Sequence, residues 1–217
     1  MTMASLIPRA ELTGLIFDCD GVLFDSKEAN TAYYNHIRFA VQLPPMTEEE
    51  AAYSHMVSTD EALEKMIPEN LKLQAIEARD NTKYRDTFMS LMQPSPYMYE
   101  FLRNMKAAGM PMALCTNRSD SVHHVLSHFN LSEFFSPVMT ITHARPKPDP
   151  EGLLKILAMW DTAPDTVAFL GDSLVDQHAA TAAGVPFWSF NSPNLQADLH
   201  ISAFKELDEF LSLMFMR

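Results

Sequence analysis

Short apolar runs alternate with stretches of helix-spaced apolar residues along most of this chain. The runs have the length of strands, and the stretches between them carry the 3.6-residue period of helices. The pattern predicts strands at 12–18, 111–116, 137–142, 166–171 and 186–190. It predicts helices at 120–129, 150–160, 174–183 and 203–215, and one that Ser95 caps, with Pro96 in its first turn, and that Gly109 ends. Such alternation is typical of an α/β fold whose mostly parallel sheet is covered on both faces.

A helical block at 27–93 interrupts this alternation directly after the first strand. Its predicted helices are 27–42, one that opens with the capping-box pattern Thr47 to Glu50, 59–67 stopped by Pro68, and a long helix at 69–92. Tyr84, Phe88 and Leu91 share one face of that long helix and are predicted to be core residues. The segment Pro94-Ser95-Pro96 marks the junction where the alternation resumes.

Two acidic residues follow the first strand. Asp18 and Asp20 end the apolar run Leu15 to Phe17, and Gly21 then allows the chain to turn. Two like charges about 4 Å apart repel by about 4 kcal/mol at an effective dielectric constant near 20. The pair therefore indicates that a cation, a proton or both act at this point.

A second acidic group follows another predicted strand about 150 residues later. Gly171 and Asp172 end the run Val167 to Leu170, and Asp176 comes four residues after Asp172. Ligand sites of open α/β sheets lie beyond the carboxyl ends of the strands, so the two acidic groups are expected to meet there. Taken singly, Asp25 and Asp176 are also compatible with helix caps.

Two further segments carry candidate chemistry. Thr116, Asn117 and Arg118 follow the predicted strand 111–116, and Lys147 lies between two prolines on a stiff segment. Asp149 and Pro150 then have the pattern of an N-cap and a first helical position. Taken alone, Thr116 is compatible with a turn hydroxyl and Lys147 with a solvated surface residue, but their places in this set favour a functional role.

Four motifs in chain order carry a resemblance: DCDGV at 18–22, CTN at 115–117, RPKP at 145–148 and GDSLVD at 171–176. In this order the chain resembles the haloacid dehalogenase-like hydrolase superfamily. The resemblance covers nearly the whole chain. It implies a Rossmann-like three-layer core formed by 1–26 and 94–217, with 27–93 as a small all-α cap domain. Caps in this family close over the site and select the substrate.

The resemblance also implies roles for individual residues. Asp18 would be the nucleophile that forms an aspartyl-phosphate, and Asp20 the general acid and base. Mg²⁺ would be held by the metal-site residues Asp18, Asp20 (through its backbone carbonyl) and Asp172, with Asp176 orienting Asp172 or a ligand water. The transferring phosphoryl oxygens would contact the phosphate-binding residues Thr116, Lys147, Gly21 and Asn117, the last two through nearby backbone N–H groups.

The subclass is partly decided by single residues. Asp20 argues against a dehalogenase, since dehalogenases of the family lack the second aspartate. Asn30 stands where the family's sugar phosphomutase has a cap histidine. The best interpretation is therefore an Mg²⁺-dependent phosphatase of a small, phosphoglycolate-like phosphorylated metabolite. A sugar phosphomutase and a non-catalytic binding protein on this fold are the alternatives. For Arg118, contact with a substrate carboxylate and exposure to solvent are equally compatible with the sequence.

Some cap residues are candidates for substrate contacts. One or two of the cap cations are expected to face the site: Lys27, Lys65, Lys72, Arg79, Lys83 and Arg85. His36 and His55 are expected to be ordinary polar or core contacts. His124 and His128 share a helical face, but a second metal there is not favoured, because the family's metal site uses oxygen ligands.

Composition and charge limit the classes of binding partner that the protein can have. The net charge of −12 argues against a nucleic-acid or anionic-membrane binder, whose footprint would be basic. No apolar run approaches the 18 residues of a membrane span, and the N-terminus lacks a signal-peptide pattern. The two cysteines, Cys19 and Cys115, are predicted to be buried and reduced. We therefore expect a cytoplasmic monomer or homodimer.

Overall fold

The computed structural model describes residues 12–119 and 121–215 of the chain. Its centre is a six-stranded parallel sheet in the order β5-β4-β1-β6-β7-β8. The strands are β1 (Gly14–Phe17), β4 (Met112–Cys115), β5 (Val138–Met139), β6 (Val167–Gly171), β7 (Phe187–Phe190) and β8 (Leu199–Ile201). A short antiparallel pair, β2 (Phe24–Asp25) and β3 (Gln93–Pro94), lies outside this sheet. The predicted α/β fold with a mostly parallel sheet is confirmed.

The strands β1, β4 and β6 are buried on both sides because helices cover both faces of the sheet. These helices are α6 (Met98–Ala107), α7 (Val122–His128), α8 (Glu151–Trp160), α9 (Leu174–Ala183) and α10 (Phe204–Phe215). Leu15 and Phe17 belong to one buried cluster and Ile16 to the other, as the two-residue period of a strand requires. Among the described helices, none is both long and apolar enough to cross a membrane.

The central strand β1 determines where the polar residues meet. Phe17 is paired with Leu114 of β4 on one side and with Leu170 of β6 on the other. The three strands therefore end level with one another. The chain runs outward from β1 in both directions, and ligand sites of open α/β sheets lie at such a point.

The segment between β2 and β3, here called the helical insert, contains five short helices. They are α1 (Lys27–Ala40), α2 (Glu48–Met56), α3 (Thr59–Met66), α4 (Lys72–Asn81) and α5 (Tyr84–Thr87). The capping box predicted at α2 is present, with Thr47 and Glu50 satisfying each other's backbone N–H groups. A buried cluster that includes Tyr34, Ile37 and Leu63 is formed within the insert and is separate from the two clusters of the sheet.

The predicted long helix at 69–92 is wrong. Turns of 3₁₀ helix at Glu69–Leu71 and Met89–Leu91 flank α4 and α5, and the chain is extended at Thr82. Thr82 is β-branched, and its hydroxyl donates to Ala78 O at 2.6 Å, so the side chain competes with continuation of the helix.

The predicted cap at Ser95 is also wrong. Helix α6 begins at Met98, after Tyr97 at φ 66°, and the Ser95 hydroxyl instead donates to Val22 O at 2.6 Å. This bond holds the chain beside the β2–β3 pair.

Two strands also differ from the prediction. Strand 137–142 is observed only as β5, and β8 was missed because a three-residue strand carries too little periodic pattern. The predicted start of α8 is one residue too early: Pro150 is the N-cap and Glu151 the first helical residue. Asp149 Oδ1 still accepts the Glu151 N–H at 3.0 Å.

Candidate active site

Asp18 follows β1 directly, and it is buried, with 7% of its surface exposed. Lys147 reaches it from the loop before α8, with Nζ 2.8 Å from Asp18 Oδ1. The lysine is 4% exposed, so it is not a solvated surface residue. Its Nζ also donates to Asp176 Oδ1 at 2.6 Å. Burial alone would lower the pKa of Lys147, but Asp176 and Asp18 raise it above its usual value, so the ammonium stays charged.

Asn117 fixes the backbone of Lys147. Asn117 Oδ1 accepts the Lys147 N–H at 2.7 Å, and its Nδ2 donates to Lys147 O at 3.0 Å. The same amide group donates to Met56 O at the end of α2, at 3.2 Å. This one side chain therefore joins the loop after β4, the lysine loop and the helical insert.

Three carboxylates converge beside the lysine. Oxygen atoms of Asp18, Asp172 and Asp176 lie within 4.8 Å of one another. Burial, followed by the charge of Asp176 and that of Asp18, raises the pKa of Asp172 to about 8. Burial also raises the pKa of Asp18 to about 7, although Lys147 opposes the shift. One ammonium faces three carboxylates, so this all-oxygen set fits a hard divalent cation.

Gly21 lets the two acidic segments approach. It has φ +75°, and a Cβ placed on it would lie 1.9 Å from Asp172 Oδ2. The Gly21 N–H itself donates to Phe24 O at 2.8 Å. The phosphoryl contact expected from N–H groups near Gly21 stays a prediction. The structure thus requires glycine here for space and backbone conformation.

Asp176 is fully buried, and both of its oxygens have partners. Oδ1 accepts from Lys147, and Oδ2 accepts from the Ser173 hydroxyl at 2.5 Å and the Ser173 N–H at 3.2 Å. With Ser173 it forms the capping box of α9. The cap and the functional interpretation of Asp176 are therefore compatible, because one carboxylate starts the helix and binds the lysine.

The Asp20 side chain is not part of the carboxylate cluster, and Arg118 holds it. Arg118 Nε donates to Asp20 Oδ2 at 2.6 Å and Nη2 donates to Oδ1 at 2.7 Å, and the Ser26 hydroxyl also donates to Oδ1. Burial would raise the pKa of Asp20, but the charge and hydrogen bonds of Arg118 hold it well below its usual value. The Arg118 side chain is only 11% exposed, so the solvated interpretation is wrong. Arg118 lines the cavity, and its contact with a substrate stays a prediction.

Several of these groups line one cavity of about 590 Å³ between the sheet edge and the helical insert, whereas Asp172, Asp176 and Gly21 are not part of its lining. The core contributes Asp18, Asp20, Thr116, Asn117, Arg118 and Lys147. Thr116 is buried, and its Oγ1 accepts the Arg118 N–H at 3.2 Å. Of the cap cations, Arg79 and Lys83 line the cavity, while Lys27, Lys65 and Lys72 are absent from its lining. Arg79 is already paired with Asp60 and Asp80.

The comparison with known proteins decides the family. The sequence profile of the haloacid dehalogenase-like hydrolases matches residues 15–190. The chain belongs to this family. The family prediction is therefore confirmed.

Individual relatives of this hydrolase agree with the match. It is 25% identical over 203 residues to the phosphoglycolate phosphatase of Escherichia coli K12, covering 81% of this chain and 80% of that one. It is 27% identical over 194 residues to that of Agrobacterium fabrum, covering 86% and 81%. A crystal structure from Geobacter sulfurreducens, a HAD-superfamily hydrolase of subfamily IA, variant 1, superposes with TM-score 0.79 at 34% identity, over 92% and 99% of the two chains.

Sequence reasoning missed the polar residues that the insert of this hydrolase places in the cavity. Asn30, His55 and Tyr84 all line it, although His55 was expected to be an ordinary contact and Tyr84 a core residue. Tyr84 does pack against the main core cluster, while its hydroxyl donates to Asn30 Oδ1 at 3.0 Å. The sequence marked Asn30 only as the residue that stands in place of a phosphomutase histidine, and no motif marks His55 or Tyr84. The three residues meet only once α1, α2 and α5 have packed together.

Proposed function

We propose that this hydrolase is an Mg²⁺-dependent phosphatase that cleaves a small phosphate monoester through an aspartyl-phosphate on Asp18. The observation that carries the proposal is the buried Asp18 carboxylate at the end of β1, in contact with Lys147 and open to the cavity. The relatives named phosphoglycolate phosphatase support a phosphorylated metabolite as substrate.

The nucleophilic step uses Asp18 and the positive charge beside it. Asp18 attacks phosphorus, and the ester oxygen leaves. Lys147 stays charged because of its two carboxylate partners, so it can bind the phosphoryl oxygens as negative charge moves onto them. The Thr116 hydroxyl and the backbone near Asn117 line the same cavity and would complete this contact. Phosphoryl transfer depends mainly on such positioning and charge neutralisation.

Asp20 is the proposed acid and base. It protonates the leaving alcohol and later removes a proton from the water that hydrolyses the aspartyl-phosphate. The Arg118 and Ser26 bonds keep its carboxylate ionised and in place, which suits the base step. The acid step requires a substrate-bound arrangement in which Arg118 no longer takes both oxygens of Asp20.

The carboxylate cluster fits Mg²⁺. A bound Mg²⁺ would be held by Asp18, Asp172 and the Asp20 backbone carbonyl, and it would neutralise charge on the transferring phosphoryl group. Both oxygens of Asp176 are occupied, which supports an indirect role in which it orients its neighbours.

The remaining parts of the proposal concern the whole chain. Residues 27–93 act as a cap domain on a core of 1–26 and 94–217, and the cap excludes water and selects the substrate. A reducing cytoplasm suits two free, buried cysteines. The choice between monomer and homodimer stays a prediction.

The test is phosphate release from a panel of phosphorylated metabolites, with and without Mg²⁺ after chelation. Asp18→Asn keeps the shape of the side chain and removes the nucleophile, so turnover should fall by at least about 10³-fold. Asp25→Asn, an exposed aspartate on the same segment, is the matched control and should keep its activity. Retention of more than a tenth of the activity in Asp18→Asn, or full activity after exhaustive chelation, would sink the proposal. An isomerised ester in place of free phosphate would favour the mutase.

A further inference from the structure

A polar network on the insert side of the cavity fixes the orientation of Asn30. Arg118 Nη2 lies 3.5 Å from Asn30 Oδ1 and 3.4 Å from Tyr84 Oη, and arginine can only donate. The Tyr84 hydroxyl donates to the same Asn30 Oδ1 at 3.0 Å. With these donors on one side, the oxygen of the Asn30 amide faces Arg118 and its NH₂ group faces His55.

This orientation decides which nitrogen of His55 carries the proton. Asn30 Nδ2 lies 3.1 Å from His55 Nδ1 and can only donate, so Nδ1 is the acceptor. An Nδ1 that accepts a hydrogen bond carries no proton, so the ring is neutral. Burial, which lowers the pKa of His55 although Asp20 opposes the shift, acts in the same direction. A neutral ring that accepts at Nδ1 carries its single proton at Nε2.

The His55 Nε2–H group has no partner. It is buried, and among the described residues no acceptor lies within hydrogen-bond reach of it. An unsatisfied buried donor costs free energy, and a native structure tolerates one when a ligand supplies the acceptor. His55 lines the cavity together with Asp20, and its charge state affects the pKa of that residue. The unpaired donor is therefore near the group that is proposed to handle the leaving alcohol.

We propose that His55 is a specificity-determining residue: its Nε2–H binds an oxygen acceptor carried by the leaving alcohol of the substrate. This inference rests on the proposed phosphatase function and names its substrate class as phosphate esters of oxygenated alcohols. The Asp20 charge is already balanced by Arg118, so the acceptor need not be charged. A hydroxyl and a carboxylate share the required chemistry.

The same geometry explains how simple alkyl esters are rejected. An oxygen on the leaving alcohol that comes within hydrogen-bond distance of the buried Nε2–H accepts its hydrogen bond. An alkyl group in that position leaves the donor unpaired, and a site built to hydrogen-bond a substrate discriminates strongly against such an analogue.

The first test compares three matched esters: ethyl phosphate, 2-hydroxyethyl phosphate and 2-phosphoglycolate. For each, kcat/KM is measured in the unmodified protein and in His55→Phe, which keeps a planar ring without a donor. The preference for an oxygenated ester over ethyl phosphate should fall about tenfold, the size of one hydrogen bond. His55→Gln keeps a donor and should restore part of the preference. His36→Phe, an exposed histidine of α1, is the matched control and should not change it.

The two oxygenated esters distinguish the possible acceptors. If only the preference for 2-hydroxyethyl phosphate falls in His55→Phe, the acceptor is a hydroxyl. If only the preference for 2-phosphoglycolate falls, the acceptor is a carboxylate. An unchanged preference in a folded His55→Phe, judged by a cooperative melt, overturns the inference. Hydrolysis of none of the three esters by the unmodified protein counts against the proposed function instead. In that case ¹⁵N NMR of the His55 ring still decides the inference, because it requires the proton at Nε2, and a proton at Nδ1 would overturn it.

Discussion

At the scale of single residues, the site depends on charges that compensate one another across the fold. The Lys147 ammonium lies between Asp18 and Asp176, and Asp172 completes the cluster. One positive charge for three carboxylates leaves a surplus that a cation can neutralise. The spacing of these groups is set by Gly21, because any side chain at this position would collide with Asp172.

Gly21→Ala should therefore lower the free energy of unfolding for two separable reasons. Its positive φ strains any side chain, and its Cβ would displace Asp172. Gly109→Ala is a matched control, since Gly109 has φ +73° with nothing within 4 Å of the added atom. The control should lose about 1 kcal/mol of unfolding free energy, and Gly21→Ala about 2 kcal/mol more. Urea unfolding measures both, and equal losses would show that Asp172 moves aside freely.

The acidic residues were predictable from the sequence, whereas their partners were not. Asp18, Asp20 and Asp172 stand at strand ends, and strand ends can be located from apolar runs. The contact between Arg118 and Asp20 joins residues 98 positions apart, and it depends on the rotamer of a long side chain. Similarly, the tautomer of His55 follows from a chain of hydrogen bonds through three helices, which no local pattern encodes.

At the scale of elements, the helical insert is joined to the core by the β2–β3 pair and by insert residues, such as Met89 and Met92, that pack in the main core cluster. The antiparallel pair β2–β3 brings Asp25 beside Gln93 where the chain leaves and re-enters the core. The insert has its own buried cluster around Ile37 and Leu63. Its missed helix break at Thr82 shows the limit of periodicity: apolar spacing continued there, but local side-chain bonding ended the helix.

Removing the insert should separate chemistry from selection. Because Asp25 and Gln93 are paired, Ser26 followed by Asn-Gly can close the gap as a three-residue hairpin loop. This variant keeps the four motifs and the Ser26 bond to Asp20. We expect slow, unselective hydrolysis of p-nitrophenyl phosphate and loss of discrimination among natural esters, since His55 and Asn30 are gone.

Folding of this variant must be checked first, because Met89 and Met92 of the insert segment pack in the main core cluster. Circular dichroism and a cooperative melt provide that check. A folded, Mg²⁺-binding core that kept the substrate ranking of the full-length protein would show that selection does not reside in the insert.

At the scale of the whole molecule, the carboxylate cluster of Asp18, Asp172 and Asp176 makes the stability of the fold depend on pH and on bound metal. The pKa values of Asp18 and Asp172 are raised from 3.8 to about 7 and about 8. The unfolded chain therefore loses these protons at lower pH than the folded protein does. Their contribution to stability is fully present below pH 4 and is lost as the pH rises through 7 to 8.

The melting temperature of the metal-free protein should consequently fall between pH 5 and pH 8.5. Mg²⁺ binds the ionised carboxylates, so the stabilisation it gives should grow over the same interval. Calorimetric melts with Mg²⁺ and with chelator measure the difference. A difference that is independent of pH would contradict the assignment of the cluster.

Cys19 lies between Asp18 and Asp20 in the sequence and is buried. Its rate of chemical modification therefore reports how often the segment 18–21, here called the nucleophile loop, opens. The cysteine is fully buried, and burial with the Asp20 charge raises the pKa of its thiol well above the usual value. A thiol reagent can modify it only while the end of β1 is transiently exposed. In a Cys115→Ser background, the modification rate should slow when Mg²⁺ holds the loop closed. A rate equal to that of a free thiol would mean that the loop opens constantly; a slow, Mg²⁺-dependent rate would time its opening directly.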